Sequence, residues 1–297
     1  MRQVNREING AEYRFRHFQD LNEAIKYARK PLPSAVNEKY GNWTIVDKAS
    51  SGFHGGTYEE AMKNASTGWA EGWEISQRLS EQFRIDLGDT TIAKKSTLSY
   101  HGQSVNMTRH LMGSPRAMMN SVRKKLKKKG RIIKIFVHSG MLANVSKDRI
   151  ITRGACILAL MNSLEATGYR VEVESGFLAR GTGSRCYSDY RFNLKQAEQP
   201  IDADRMGFAL VSPAMHRVLG FRIREQEPDL EWHEKYETFG SQGSTIDYTD
   251  LNEAESTDSD IYLGVNGNDW NIFRNENTSK KWLREQFEIF GVKTEDV

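Results

Sequence analysis

The chain has 297 residues, 38% of them hydrophobic and 27% charged, and a formal net charge of +3. That length suits one large or two modest domains. With a mean hydropathy of −0.64 and no apolar run longer than Ala155 to Met161, nothing approaches the ~20 residues of a bilayer crossing. The small net charge hides two unlike regions: thirteen lysines and arginines with no acid from Thr90 to Lys147, and eighteen acids against six lysines and arginines from Glu225 to Val297.

The opening Met1-Arg-Gln-Val-Asn-Arg-Glu7 has no apolar segment for secretion, and two cysteines give no disulfide framework. A reducing cytoplasm is the expected setting. Helical spacing of Phe15, Phe18, Leu21, Ile25 and Tyr27 predicts a helix over 13–30, with Asp20 as a cap and Pro31-Leu-Pro33 as the stop. Trp43 to Val46 reads as a short strand, followed by the loop Ser50-Ser-Gly-Phe-His-Gly-Gly56. Thr57 with Glu60 forms a capping box for the next helix.

Residues 96–110 read as one or two weak strands. Pro115 then suits the first turn of a helix running to Lys129, with Met118, Val122 and Leu126 as its buried stripe and Gly130 as its end. Ile132 to Val137 is a β-branched apolar run. A helix around Arg153 to Glu165, closed by Gly168, separates it from a strand at Tyr169 to Val173, which makes a βαβ unit. Tyr187 to Leu194 alternates like a further strand. Phe208 to Val211 and Leu219 to Ile223 are candidate edge strands around Pro213. Beyond Pro228 the composition turns polar and acidic, with a last amphipathic helix carrying Trp282, Leu283, Phe287 and Phe290.

The expected fold class is therefore α/β: a Rossmann-like, von Willebrand A-like, partly parallel sheet with flanking helices and an N-terminal helical part. The core would span 1–227, and 228–297 would be a peripheral, partly flexible acidic extension.

Several segments, in order, resemble a family of uncharacterised proteins encoded by bacteriophages and actinobacterial plasmids. They are Gly56-Thr-Tyr-Glu-Glu-Ala61 with Gly68-Trp-Ala-Glu-Gly72, and His110-Leu-Met-Gly-Ser-Pro115 with Met118. The third is Arg153-Gly-Ala with Leu164-Glu-Ala-Thr-Gly-Tyr-Arg-Val-Glu-Val-Glu174. They span roughly residues 10–225 and leave the acidic segment outside. The resemblance implies a Rossmann-like core and a phage or plasmid origin. By analogy with short-tailed phages that encode their own RNA polymerases, it also suggests a single-stranded-DNA-binding transcription or replication accessory protein.

The chemistry legible in the residues is mostly binding. Arg123, Lys124, Lys125, Lys127, Lys128, Lys129 and Arg131 lie within nine residues, and their mutual repulsion favours an anionic partner. Around Gly181-Thr-Gly-Ser-Arg185, which reads as a hairpin turn, Arg180, Arg185, Tyr187 and Tyr190 interleave cations with rings, the pattern that holds single-stranded nucleic acid. Period-two alternation puts Tyr187 and Tyr190 on opposite faces, so at least one belongs to the core. At His138-Ser-Gly-Met-Leu142, a histidine replaces the aspartate of a von Willebrand A metal loop. No cofactor and no metal are expected.

Asp86 and Asp89 with Lys94-Lys95, and Glu172-Val-Glu174, are incomplete nuclease-like sets. The function expected is a non-catalytic, phage-encoded single-stranded-DNA-binding protein assisting transcription or replication. Its acidic segment would serve a phage RNA polymerase or replication partner, and it would form a homo-oligomer. A metal-dependent nuclease and a self-assembling phage scaffold protein are the alternatives.

Overall fold

A computed structural model describes the chain apart from residues 9, 73, 76–93, 100–103, 106, 108–109, 111–117, 124–130, 183–185, 240–242, 252–256 and 292–297. The fold is mixed α/β. Seven strands form the central sheet: β1 (Arg2–Ile8), β2 (Ala11–Phe18), β6 (Ile132–His138), β7 (Arg170–Arg180), β8 (Cys186–Lys195), β9 (Ser244–Thr245) and β10 (Ile261–Leu263). They lie in the order β1-β2-β8-β7-β6-β10, with β9 pairing β7. β2 runs parallel to β8, and β6 runs parallel to both β7 and β10. β7 and β8 are antiparallel across a hairpin in which Arg180 faces Tyr187.

The βαβ unit is present as the residues predicted. Ser146 caps the helix Lys147–Ala166, and Gly168 follows its end at φ +95, a conformation that suits glycine. Ile133, Ile135, Val137, Val171 and Val173 meet the apolar side of that helix, together with Met206, Leu210 and Val211. The same sheet face continues through Phe177, Tyr190 and Phe192 into a second cluster. That cluster is roofed by the helices Leu21–Ala28, Tyr58–Thr67 and the segment 208–223. Asp20 and the Thr57–Glu60 box cap two of those helices. On the opposite face Tyr13, Phe15, Phe136 and Leu178 pack with Tyr248 and Leu251.

Some expected elements changed type. Residues 11–18 form a strand, so the first helix is shortened to Leu21–Ala28. Trp43 to Val46 falls in a 3₁₀ turn and a short helix. Phe208–Val211 and Leu219–Ile223 are helical. Asp202 starts the helix Ala203–Val211, and a π-helical segment Met215–Gly220 runs into the helix Phe221–Glu225. Both segments are buried around most of their circumference, which erases the alternation that distinguishes helix from strand.

The expected helix over 115–129 is also corrected. Met118–Arg123 is strand β5 of a separate three-stranded antiparallel sheet with β3 (Lys94–Ser99) and β4 (Ser104–Val105). Met118 and Val122, four residues apart, share a face on a strand as they do on a helix, so a partner strand decides.

The acidic segment was expected at the periphery. Its Ile261–Leu263 is an edge strand of the central sheet, and Phe273, Leu283, Phe287 and Phe290 join the main core. Its acids meet the basic stretch directly: Asp260 pairs with Arg131 at 2.9 Å and Asp258 with Lys134 at 2.6 Å. Among the described residues no helix is long and apolar enough to cross a membrane.

Candidate anion-binding site

Among the described residues, the predicted contact residues do not converge on one surface. Lys124, Lys125, Lys127, Lys128, Lys129 and Arg185, like Asp86 and Asp89, lie outside the described residues. Arg123 ends β5, where its backbone pairs with Lys94. Arg131 is committed to Asp260 and lies 5.6 Å over the Phe290 ring. Arg180 and Tyr187 sit at the opposite end of β7 from Arg131, about 30 Å away for ten residues of strand. Arg180 is exposed and Tyr187 half-buried.

Tyr190 is removed from the binding set. It is fully buried between Phe177 and the helical roof, and its hydroxyl donates to Glu227 at 3.4 Å. Burial and the Glu227 charge push the phenol well above its ordinary range. Its partner Glu227 also accepts from Arg16 at 2.6 Å and Arg14 at 3.2 Å.

What the fold does assemble is a cavity of about 350 Å³ at the carboxyl ends of β6 and β7, where open α/β sheets hold their ligands. Five segments distant in sequence line it. The first is Ile45 to His54, with Lys48, Phe53 and His54. The others are the loop after β6 with Met141 and Leu142, Ala179 on β7, then His216 to Arg224, then Phe239 with Gly243 to Thr245. Among the described lining residues there are two arginines, a lysine and two histidines, and no aspartate or glutamate.

Each wall is held by specific contacts. His138 is fully buried. Its Nδ1 accepts from the Gly140 amide at 3.0 Å and its Nε2 faces the Ile246 carbonyl at 2.9 Å. Burial drives its pKa down to about 3, so this histidine is a neutral brace for the loop 139–146. Arg153, also buried, donates to the carbonyl oxygens of His138, Leu263 and Gly264, tying together the ends of β6 and β10.

Gly55, at φ +82, lets the loop 50–56 lie on the start of the π-helical segment. A Cβ there would come within 3.1 Å of Pro213. That segment presents His216 and Arg217, and π-turns of this kind recur at functional sites.

The electrostatics follow from burial. Arg217 Nη1 donates to the Phe53 carbonyl at 2.8 Å, and Nη2 reaches the carbonyls of Leu142 and Val145 at 3.3 and 3.5 Å. Desolvation lowers its pKa, and no carboxylate pairs with it among the described residues. His54 is lowered by burial and then by Arg217. His216 is fully desolvated and lies near Arg224 and Arg217, which keeps it neutral. Its Nδ1 is buried without a hydrogen-bond partner among the described residues. The Arg217 charge, which no carboxylate pairs with among the described residues, would be relieved by an incoming anion.

The mouth is aromatic. Five large apolar side chains stand exposed among the described residues. Phe53 (44%) and Leu142 line the cavity, while Trp43 (60%) lies beside it. Lys48 Nζ sits 4.8 Å from the Trp43 ring centre, and the Arg217 guanidinium 4.1 Å from that of Phe53. Two exposed rings are thus each backed by a cation.

On the opposite sheet face, the carboxylates of the nuclease-like set are differently placed. Glu172 pairs in register with Lys134, and Glu174 lies 3.6 Å from His17. Burial raises Glu174 to about 7. Neighbouring Asp189 is saturated by Tyr13, Tyr248 and Arg191. Among the described residues no three His, Cys, Asp or Glu side chains gather as a metal would require.

Residue spacing offered no motif for the cavity. The one local signal was the glycine-rich loop 50–56 carrying Phe53 and His54, which reads from sequence only as a connection. Over residues 4–294 the chain matches the family model described as Domain of unknown function (DUF7192), and it belongs to that family. The match includes the acidic segment. No curated protein and no solved structure matches the chain.

Proposed function

We propose that this member of the DUF7192 family binds single-stranded nucleic acid, DNA foremost, as an accessory factor rather than an enzyme. The observation that carries the reading is the pairing of exposed rings with cations, Trp43 on Lys48 and Phe53 on Arg217. These pairs flank a cavity lined by cations and no described carboxylate. Single strands are held in this manner, with bases on rings and phosphates on cations.

The acid-free stretch adds a second cationic element. Its β3–β5 pairing sets Lys94 opposite Arg123, and the chain continues from there into the run 124–131. The setting suggested by the sequence resemblance, phage transcription or replication, fits such an accessory role. Asp258 and Asp260, which already hold Lys134 and Arg131, would compete with phosphates at that edge.

Fluorescence anisotropy of labelled single- and double-stranded oligonucleotides at two salt concentrations tests the reading. The expected outcome is tighter binding of the single strand, with a log–log salt slope of about −0.7 per neutralised phosphate. Replacing Lys124, Lys125, Lys127 and Lys128 together should weaken binding and flatten that slope. Absence of binding at low salt would refute the proposal. Oligonucleotides incubated with Mg²⁺ or Mn²⁺ should stay intact; cleavage abolished by Glu172→Ala would favour a nuclease instead.

A further inference from the structure

We infer that the buried side of the cavity, at His216 and Arg217, is a subsite for a phosphate monoester, taking the phosphorylated end of a strand or a free nucleoside monophosphate. The inference rests on the reading that nucleic acid meets the mouth of this cavity. The cavity's described lining includes Ala179, His216, Phe221 and Arg224, all buried, with Arg224 fully so. An interior nucleotide carries a phosphodiester on each side, whereas a strand end presents one phosphate group, which a lining of buried side chains can take.

The groups on that buried side ask for a dianion. Arg217 satisfies its Nη donors on three backbone carbonyls, which fills hydrogen bonds but leaves its charge without a carboxylate among the described residues. His216 Nδ1 is buried without a hydrogen-bond partner among the described residues, although its ring is held edge-on between Phe177 and Phe221. Leaving a buried polar atom unmatched is costly, and a phosphate oxygen would match it. A monoester carries close to two negative charges at neutral pH against one for a diester, so the same cations hold it more strongly. The apolar parts of Phe53, Met141 and Phe239, also on the lining, offer the sugar and base a surface.

The test compares oligonucleotides of one sequence ending in a 5′-phosphate, a 3′-phosphate or hydroxyls only, alongside calorimetry with dAMP and deoxyadenosine. His216→Phe keeps the ring between Phe177 and Phe221 and removes Nδ1. A phosphorylated end should bind about tenfold tighter than the hydroxyl-ended strand. dAMP should bind where deoxyadenosine does not. His216→Phe should erase both preferences while leaving the melting temperature near wild type.

Binding of dAMP without any strand binding would support a free-nucleotide subsite and overturn the nucleic-acid reading. Equal affinity for all ends with no dAMP binding would overturn the subsite and leave strand binding standing. Preferences that survive His216→Phe would overturn its placement here, and no binding of any probe would overturn both.

Discussion

Replacing Trp43 and Phe53 by alanine together bears most directly on how the protein engages single strands. Trp43 is 60% and Phe53 44% exposed, so their removal costs the core little. A base stacked on each ring contributes roughly 1–3 kcal/mol. The two rings lie on separate cations, Lys48 and Arg217, and share no described partner, so their losses should add approximately. The double variant should therefore lose on the order of 2–6 kcal/mol, a weakening of about thirtyfold or more.

Because neither change removes a phosphate contact, the salt slope should stay as in wild type while the whole line shifts to weaker binding. Lys48→Gln should do the reverse, lowering the slope by about 0.7. Anisotropy with labelled oligo-dT across a salt series reads both quantities, and a thermal melt confirms the fold. Binding within twofold of wild type for a folded double variant would refute the stacking argument.

Other outcomes follow from the interior. Asp189→Asn should destabilise the protein by about 3–5 kcal/mol in urea unfolding. It strips charge from a fully buried carboxylate that Tyr13, Tyr248 and Arg191 all contact. Glu174 is raised by burial from its ordinary value to about 7. Its folded pKa exceeds the unfolded one, so its contribution is fully present below about pH 4.5 and is lost as pH rises toward 7. Wild type should then fall behind Glu174→Gln by on the order of 2–3 kcal/mol between pH 5 and 8, and a gap independent of pH would contradict this.

Gly55→Ala should cost about 1–2 kcal/mol, since φ +82 disfavours a side chain and Cβ would press on Pro213. The displaced loop should weaken oligonucleotide binding as well. Tyr190→Phe should leave oligonucleotide affinity unchanged, because that ring is enclosed.

Local signals in the chain were reliable where one segment contains its own instructions. Asp20 and the Thr57–Glu60 box mark helix starts because the cap lies within three residues of the amide it serves. Ile132 to Val173 could be read as strand, helix, strand, since β-branched runs and glycine stops carry that pattern unaided. Reading failed where two periodicities fit equally, as at Met118–Arg123, or where burial on all sides removed periodicity, as at Phe208–Val211 and Leu219–Ile223.

The sequence by itself determined a charge asymmetry, a βαβ core and the ends of several helices, because composition, capping and apolar runs act over a few residues. It also supplied cations and rings without saying which would stay exposed. Tertiary structure decided that Tyr190 is core, that Asp260 holds Arg131, and that Lys48, Phe53, His216 and Arg217 meet around one cavity. Lys48 and Arg217 are 169 positions apart, and no local pattern records such a meeting. It exists only because the sheet brings the ends of β6 and β7 together and the helical roof folds over them.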